Sequence, residues 1–140
     1  MPKTESSRQT RDQERAAAAW EATPSDPSDE YLSLVRGAGA SIMTMGLGQT
    51  LAFYQAKGEK HHQQLADALA AWLLIKSSPG ESSPSESSPS ETDATGETDA
   101  TGAKLMEDIT KRSSRWYRRR TSEALAYLTW LKRFAEANHS

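Results

Sequence analysis

The stretch RWYRRRTSEALAYLTWLKRFAEA, residues 115–137, decides the fold that we predict for this chain. It contains neither Gly nor Pro and is long enough for about six turns of α-helix. At about 100° per residue, its apolar side chains cover more than half of the helix circumference, which is more than one packing face needs. We therefore predict a central helix that packs on two sides. Its core stripe is predicted to contain Tyr117, Ala124, Leu128, Leu131 and Ala135.

The remaining face of this helix carries arginine. Although the net charge of the chain is −2, residues 103–140 alone carry 9 basic and 4 acidic side chains. Six positive charges fall within ten residues, from Lys111 to Arg120, and are interleaved with Trp116 and Tyr117. Guanidinium groups bind phosphates and aromatic rings can stack on bases, so this composition suits an RNA backbone or a single strand. The alternative is a solvated face with local ion pairs, and for the two aromatic residues we favour a place in the core.

Upstream of this helix, the apolar pattern predicts further helices and no strand. The first is predicted over residues 11–22, anchored by Trp20, and the second is predicted to begin with Asp26 as N-cap and Pro27 as first helical residue. It should weaken at Gly37 and Gly39. Two more helices are predicted over residues 40–57 and 60–76, and a short one over 103–111 with Ser113 and Ser114 capping the last helix.

The helix predicted over residues 40–57 is expected to be the most buried element. Its core stripe would contain Met43, Leu47, Leu51 and Tyr54. Small residues recur at every fourth position, which should let another helix approach closely. That ridge consists of Ala40, Thr44, Gly48, Ala52 and Ala56. The following helix should bury Leu65, Ala68, Leu69, Trp72, Leu73 and Ile75.

Residues 77–102 repeat ESSPS and ETDATG twice each and carry six acidic side chains and no basic one. Such a composition cannot offset the entropy of ordering, so we predict a disordered linker there and a disordered tail over residues 1–10. Residues 11–76 would form the first helical part of a bundle, and residues 103–140 would complete it. The fold class is therefore all-α, a compact single-domain bundle of about five to six helices.

Candidate catalytic, cofactor and metal sites are weak. GAGAS at 37–41 and GLGQT at 46–50 complete no phosphate-binding motif. His61 and His62 are adjacent on a helix and should point about 100° apart as solvated side chains, so we predict no metal site. Glu123 has ordinary helical ion-pair spacing to Arg119 and Arg120. With no Cys and no apolar run long enough to span a bilayer, we expect a soluble cytoplasmic protein that is not an enzyme and needs no cofactor.

Two segments carry a resemblance to a known family. The first has Gly46-Leu47 and Gln49-Thr50-Leu51-Ala52-Phe53 and closes at Lys57; the second has Thr121-x-Glu123-Ala124-Leu125 followed by Trp130-Leu131-Lys132-Arg133-Phe134-Ala135. In this order they resemble the small α-helical subunit of type III-B (Cmr-type) CRISPR RNA-guided effector complexes. The likeness covers about residues 30–76 and 104–137.

The resemblance implies a compact helical bundle without catalytic activity that serves antiviral defence. Several copies would stack head to tail beside a filament of larger subunits that holds the guide RNA. They would line the groove where target RNA pairs with the guide, and other subunits would cleave. Partners would thus be other effector subunits, further copies of the chain, guide RNA and target RNA, with no membrane.

Two hypotheses about function remain open. In the first, the chain is a structural subunit whose basic face contacts RNA phosphates without reading sequence. The predicted contact residues are Lys111, Arg112, Arg115, Arg118, Arg119 and Arg133. In the second, the chain is purely a protein–protein adaptor whose arginines dock onto acidic partner surfaces.

Overall fold

The fold is seen in a computed structural model, which describes residues 10–75 and 101–139. These residues form six α-helices and no strand, so the all-α prediction is confirmed. The predicted tail and linker lie outside the described residues, except for Thr10, Thr101 and Gly102. The helices are α1 (Arg11–Ala22), α2 (Asp29–Met45), α3 (Leu47–Lys57), α4 (Lys60–Ile75), α5 (Gly102–Lys111) and α6 (Ser114–Asn138).

Short polar side chains fix several helix starts. Thr10 caps α1 in a capping box with Gln13, and Ser113 caps α6 by accepting a hydrogen bond from the Trp116 backbone N–H at 3.1 Å. The prediction that Asp26 and Pro27 begin α2 is wrong. Ser28 is the N-cap, because its hydroxyl accepts from the Tyr31 backbone N–H at 3.0 Å. Asp29 and Glu30 then fill the first turn, where the helix dipole favours acidic groups.

The break between α2 and α3 lies at Gly46. The helix runs unbroken through Gly37 and Gly39, so the predicted boundary near residue 40 is wrong. Gly46 has φ +94°, a backbone conformation that favours glycine. The first turn of α3 has no cap from its own N-cap residue; instead the Gly48 backbone N–H donates to the Tyr117 hydroxyl of α6 at 2.9 Å. A contact from 69 residues away thus helps to set where α3 begins.

The core lies where α4 and α6 meet the other helices. Trp72 of α4 stacks on Tyr127 of α6 with ring centres 5.8 Å apart and planes 6° from parallel. The buried residues of α6 include Ala124, Leu128, Leu131 and Ala135, as predicted, and Tyr117 is half-buried. On α4 the predicted Leu65, Ala68, Leu69, Trp72 and Leu73 are buried.

The predicted small-residue ridge is wrong except at Gly48, where an added Cβ would lie 3.4 Å from Ile109 Cγ2 of α5. Ala40, Thr44, Ala52 and Ala56 are exposed, and Met43 is 74% exposed rather than part of the core. Because Gly46 divides the stretch into two helices, positions four residues apart across it no longer share one face. A closer approach occurs elsewhere. An added Cβ on Gly102 would lie 2.9 Å from the Cβ of Ala66, where α5 meets α4.

Trp20 is not the main anchor of α1. It is 56% exposed and meets Phe134 of α6 edge to face, with ring centres 5.1 Å apart. Ala19 is the buried residue of this helix, and Arg15 binds Glu123 of α6. Burial of Ala19 and the ion pair between Arg15 and Glu123 therefore anchor α1, in place of the Trp20 indole.

Replacing Gly46 with Ala should lower the free energy of unfolding by about 1–2 kcal/mol, because an L side chain is strained at this positive φ. The added methyl would also lie 3.3 Å from the Tyr117 hydroxyl. Gly37→Ala is the matched control: it lies in α2 with open space around it, and should raise stability by about 0.5–1 kcal/mol. Urea unfolding measures both. Equal effects of the two substitutions would contradict the account of Gly46.

Candidate nucleic-acid interface

The basic residues are positioned by the tight connection between α5 and α6. Lys111 is the last residue of α5, Arg112 is its extended C-cap, and Ser113 already caps α6. Only two residues separate the helices, so Lys111 and Arg112 lie beside the first turn of α6. That turn contains no acidic residue. The helix dipole is positive at this end, so it adds to the field of the arginines that follow.

Arg115, Arg118 and Arg119 are exposed and line one open groove of about 450 Å³. Arg120, Ser122 and Glu123 of α6 complete its lining together with Arg11 of α1. Sequence reasoning missed Arg11, which is 104 residues from Arg115 and is brought close only because α1 packs on α6. We call this feature the basic groove, defined by Arg11, Arg115, Arg118 and Arg119.

The predicted contact residues do not form one cluster. Arg133 is exposed on α6 but lies 14 residues beyond Arg119, about 21 Å along the helix axis. Lys111 donates to Glu107 at 2.9 Å, and this hydrogen bond raises the pKa of its ammonium. Arg112 is exposed and lies over the Trp116 ring, 5.0 Å from its centre. The structure therefore groups Arg115, Arg118 and Arg119 and sets the other three apart.

Arg120 belongs to the core rather than to the surface. It is only 3% exposed, and its Nη1 donates to the Leu73 carbonyl of α4 at 3.1 Å. Its guanidinium also lies 5.9 Å from the centre of the Trp116 ring. Of the six positive charges between Lys111 and Arg120, five are therefore exposed, and that of Arg120 is buried. Trp116 itself is buried, and Tyr117 is half-buried with its hydroxyl bonded to Gly48, so both aromatic residues belong to the core as favoured.

Nearby acidic groups are engaged elsewhere. Both oxygens of Glu123, at the edge of the basic groove, accept from Arg15, and Oε2 also accepts from Trp72 Nε1 at 3.0 Å. Asp12 accepts from Arg15 and Trp130. Within residues 10–75 and 101–139, no ion pair involves Arg115, Arg118 or Arg133. Within the described residues, no ion pair neutralises the positive charges of these three exposed arginines.

A second surface feature is apolar. Large apolar side chains that remain exposed include Trp20, Met43, Met45 and Phe53. Between α2 and α6 lies an open groove of about 520 Å³ whose lining includes Val35, Gly39, Met43, Leu125 and Leu128. Exposed apolar surface of this kind is typical of contact with other proteins.

The prediction that His61 and His62 are both solvated is wrong for His62. Their rings lie 4.4 Å apart, and both approach Glu59. His62 is buried rather than solvated. Of the two glycine-rich segments, residues 37–41 are helical, and Gly46 lies at the break before α3. None of the described helices is both long enough and apolar enough to cross a membrane.

The chain matches a family of known proteins and solved structures of similar fold. The profile of a family described as CRISPR-associated protein (Cas_Cmr5) matches residues 11–138. The X-ray crystal structure of a CRISPR-associated Cmr5 family protein from Thermus thermophilus is similar in fold, with a TM-score of 0.69. It is 24% identical, and the match covers 94% of this chain and 100% of that one. No curated protein matches.

Proposed function

Because this chain belongs to the Cmr5 family of CRISPR-associated proteins, we propose that it is a non-catalytic structural subunit of a type III-B RNA-guided RNA-silencing complex. In this role it contacts the RNA backbone through the basic groove and stacks with further copies of itself in the cytoplasm. Family membership supports a role as a small subunit of a CRISPR complex. The surface of the protein supports contact with RNA.

The basic groove is the observation that carries RNA contact. Three arginines from two successive turns of α6 and a fourth from α1 line one open groove. Arginine guanidinium groups bind phosphate oxygens in pairs of hydrogen bonds and carry no sequence preference when they do so. A backbone contact of this kind suits a subunit that accompanies any guide and any target. Lys111, Arg112 and Arg133 would extend the contact along the strand.

Charge reversal of the groove tests RNA contact. In the assembled complex, the triple variant Arg115→Glu, Arg118→Glu and Arg119→Glu should weaken RNA binding at least tenfold, because each arginine lost removes one phosphate contact. Three or four neutralised phosphates on a single strand give a slope of log affinity against log salt of about −2 to −3. The variant should flatten the slope of the complex by about 2. Filter binding at several salt concentrations measures both quantities.

A control variant with the same change in net charge distinguishes a contact at the basic groove from a general effect of net charge on RNA affinity. Lys57→Glu, Lys60→Glu and Lys104→Glu replace three exposed cations on other helices and should leave the salt slope unchanged. Equal losses of affinity in the two triple variants, or none in the groove variant, would contradict RNA contact at the groove.

The adaptor alternative is favoured by the apolar surface. Met43 and the groove between α2 and α6 offer contact area that an RNA backbone does not use. If the arginines dock onto acidic protein surfaces instead, the groove variant should fail to copurify with the complex while circular dichroism shows the isolated chain still folded. Retained assembly together with lost RNA affinity would exclude this alternative.

A further inference from the structure

The start of α4 brings together three groups that commonly bind metals. Glu59 immediately precedes the helix, and His61 and His62 lie in its first turn. His61 Nε2 is 3.4 Å from Glu59 Oε1, and His62 Nδ1 is 3.6 Å from the same oxygen. Each of the three residues offers one ligand atom that lies within 4.8 Å of those of the other two.

His62 is held so that its nitrogen faces this cluster. Its side chain is only 7% exposed, and its ring packs against Tyr54 and Phe53, with ring centres 5.6 Å and 6.1 Å away. Nδ1 is buried and has no hydrogen-bond partner among residues 10–75 and 101–139. A buried polar atom without a partner is uncommon in folded proteins and asks for an explanation.

An ordinary His–Glu ion pair is the simpler explanation, but it suits this site poorly. The nitrogens of His61 and His62 lie 3.4 Å and 3.6 Å from the Glu59 oxygen, longer than the 2.7–2.9 Å typical of a charge-assisted hydrogen bond. A ring nitrogen with a free lone pair is a good metal ligand. In the tautomer that carries its proton on Nε2, His62 presents this lone pair toward Glu59, and a cation between the two groups would satisfy both.

We propose that Glu59, His61 and His62 form a binding site for a divalent transition-metal ion such as Zn²⁺. With metal–ligand bonds of about 2.0–2.1 Å, ligand atoms at the corners of a tetrahedron lie about 3.3 Å apart. The two Glu–His distances, 3.4 Å and 3.6 Å, are close to this value. His61 is partly exposed and can turn to close the remaining side of the triangle. Water would fill the fourth position, as in zinc sites with three protein ligands.

Nearby positive charge limits the affinity of this site. The N-terminus of α4 and the side chains of Lys57 and Lys60 repel a cation, so binding should be weaker than at a closed site with four protein ligands. Two imidazoles and one carboxylate favour Zn²⁺, Ni²⁺ or Cu²⁺ over Mg²⁺ or Ca²⁺. The bound ion would fix the connection between α3 and α4 against the first turn of α4.

Zn²⁺ titration of the full, untagged chain tests this site. Isothermal titration calorimetry should show one ion per chain, and a hundredfold excess of Mg²⁺ should not displace it. Glu59→Gln and His61→Gln should each weaken binding at least tenfold, because each removes one of three ligands. His139→Gln is the matched control, since His139 is the other histidine and has its own acidic neighbour, Asp29, at 2.7 Å. It should bind Zn²⁺ as the wild type does.

Three results would overturn the proposal: no saturable binding at one ion per chain, unchanged affinity in both ligand variants, or loss of binding in His139→Gln. His62 is buried, so its replacement can unfold the chain, and a second readout avoids that problem. Co²⁺ bound to two nitrogens and one carboxylate should give visible absorption bands that are lost in Glu59→Gln. Glu59 is exposed, so this variant should keep the circular dichroism spectrum of the wild type.

Discussion

Glu123→Ala is expected to lower the free energy of unfolding by about 2–4 kcal/mol, the largest loss that we expect from any single substitution here. The Glu123 side chain is only 13% exposed and joins three helices. From α6 it accepts hydrogen bonds from Arg15 of α1 and from Trp72 of α4. Removing it leaves the buried Trp72 N–H without an acceptor and the guanidinium of Arg15 without this partner. Urea unfolding followed by circular dichroism measures the loss.

Glu136→Ala is the control for the Glu123 prediction, because it makes the same change on the same helix. Glu136 pairs with Arg36 at 3.0 Å, and the Arg36 side chain is largely exposed. Surface ion pairs of this kind contribute about 0–1 kcal/mol, so the control should lose little. Equal losses in the two alanine variants would contradict the role given to Glu123.

The charge of Glu123 should also appear in the pH dependence of stability. Burial disfavours the carboxylate, but the hydrogen bonds from Arg15 and Trp72 outweigh burial and lower the pKa of Glu123 below its usual 4.5. A lowered pKa in the folded state contributes stability above pH 4.5, and this contribution is lost as the pH falls through the folded value. Glu123→Gln should therefore lose less stability than the wild type between pH 5 and pH 3. If stability falls equally with pH in Glu123→Gln and in the wild type, the charge of Glu123 contributes nothing to stability.

Gly102→Val is expected to cost about 2–3 kcal/mol through overpacking. A Cβ at this position would lie 2.9 Å from the Cβ of Ala66, which is fixed to the α4 backbone and cannot rotate away. It would also lie 2.7 Å from Gln55 Oε1 of α3. The valine would push α5 from α4 and strain the hydrogen bond from the Gly102 N–H to Asp67 Oδ1, now 3.0 Å.

Ala103→Val is the control for Gly102, since it places the same side chain one residue later at an exposed position of α5. Its cost should be the difference in helix propensity, less than about 1 kcal/mol. Thermal unfolding compares the two variants. If both melt at the same temperature, the close approach at Gly102 does not limit the packing of α5.

The helices most accurately predicted from sequence are those whose signals are local. Both ends of α1 and the capping of α6 by Ser113 were predicted correctly. Capping side chains and a long apolar period lie within a few residues of the feature that they determine, so one sequence is enough. The apolar stripe of α6 was read correctly for the same reason.

The boundary between α2 and α3 was not predictable in this way. Helix propensity alone predicts a break at Gly37 and Gly39, since each glycine costs about 0.8–1 kcal/mol relative to Ala in a helix. The chain breaks at Gly46 instead, where the Tyr117 hydroxyl accepts from the N–H of Gly48. No residue near Gly46 in the sequence signals that partner. The same error placed Met43 in the core and predicted one continuous ridge of small residues, of which only Gly48 lies at a contact between helices.

The candidate RNA interface was predictable in part. The sequence identified the arginines of α6, but it did not show that Arg11 joins their groove or that Arg120 turns inward to Leu73. Both facts depend on which helices flank α6. The proximity of His61, His62 and Glu59 was not predicted, because adjacent residues on an ideal helix diverge, whereas here Glu59 lies before the helix and both rings approach it.

The hydrogen bond from Gly102 to Asp67 has a consequence for how the polypeptide is connected. It anchors the start of α5 beside a point eight residues before the end of α4, a distance of about 12 Å along that helix. About four extended residues could span this gap, whereas the chain has 25 between positions 75 and 101. Helices α5 and α6 also contact α4 directly, so the described parts of the bundle are joined by packing as well as by the chain between positions 75 and 101. We therefore expect a chain cut between positions 75 and 101 to remain folded, with α5 and α6 still packed on α4.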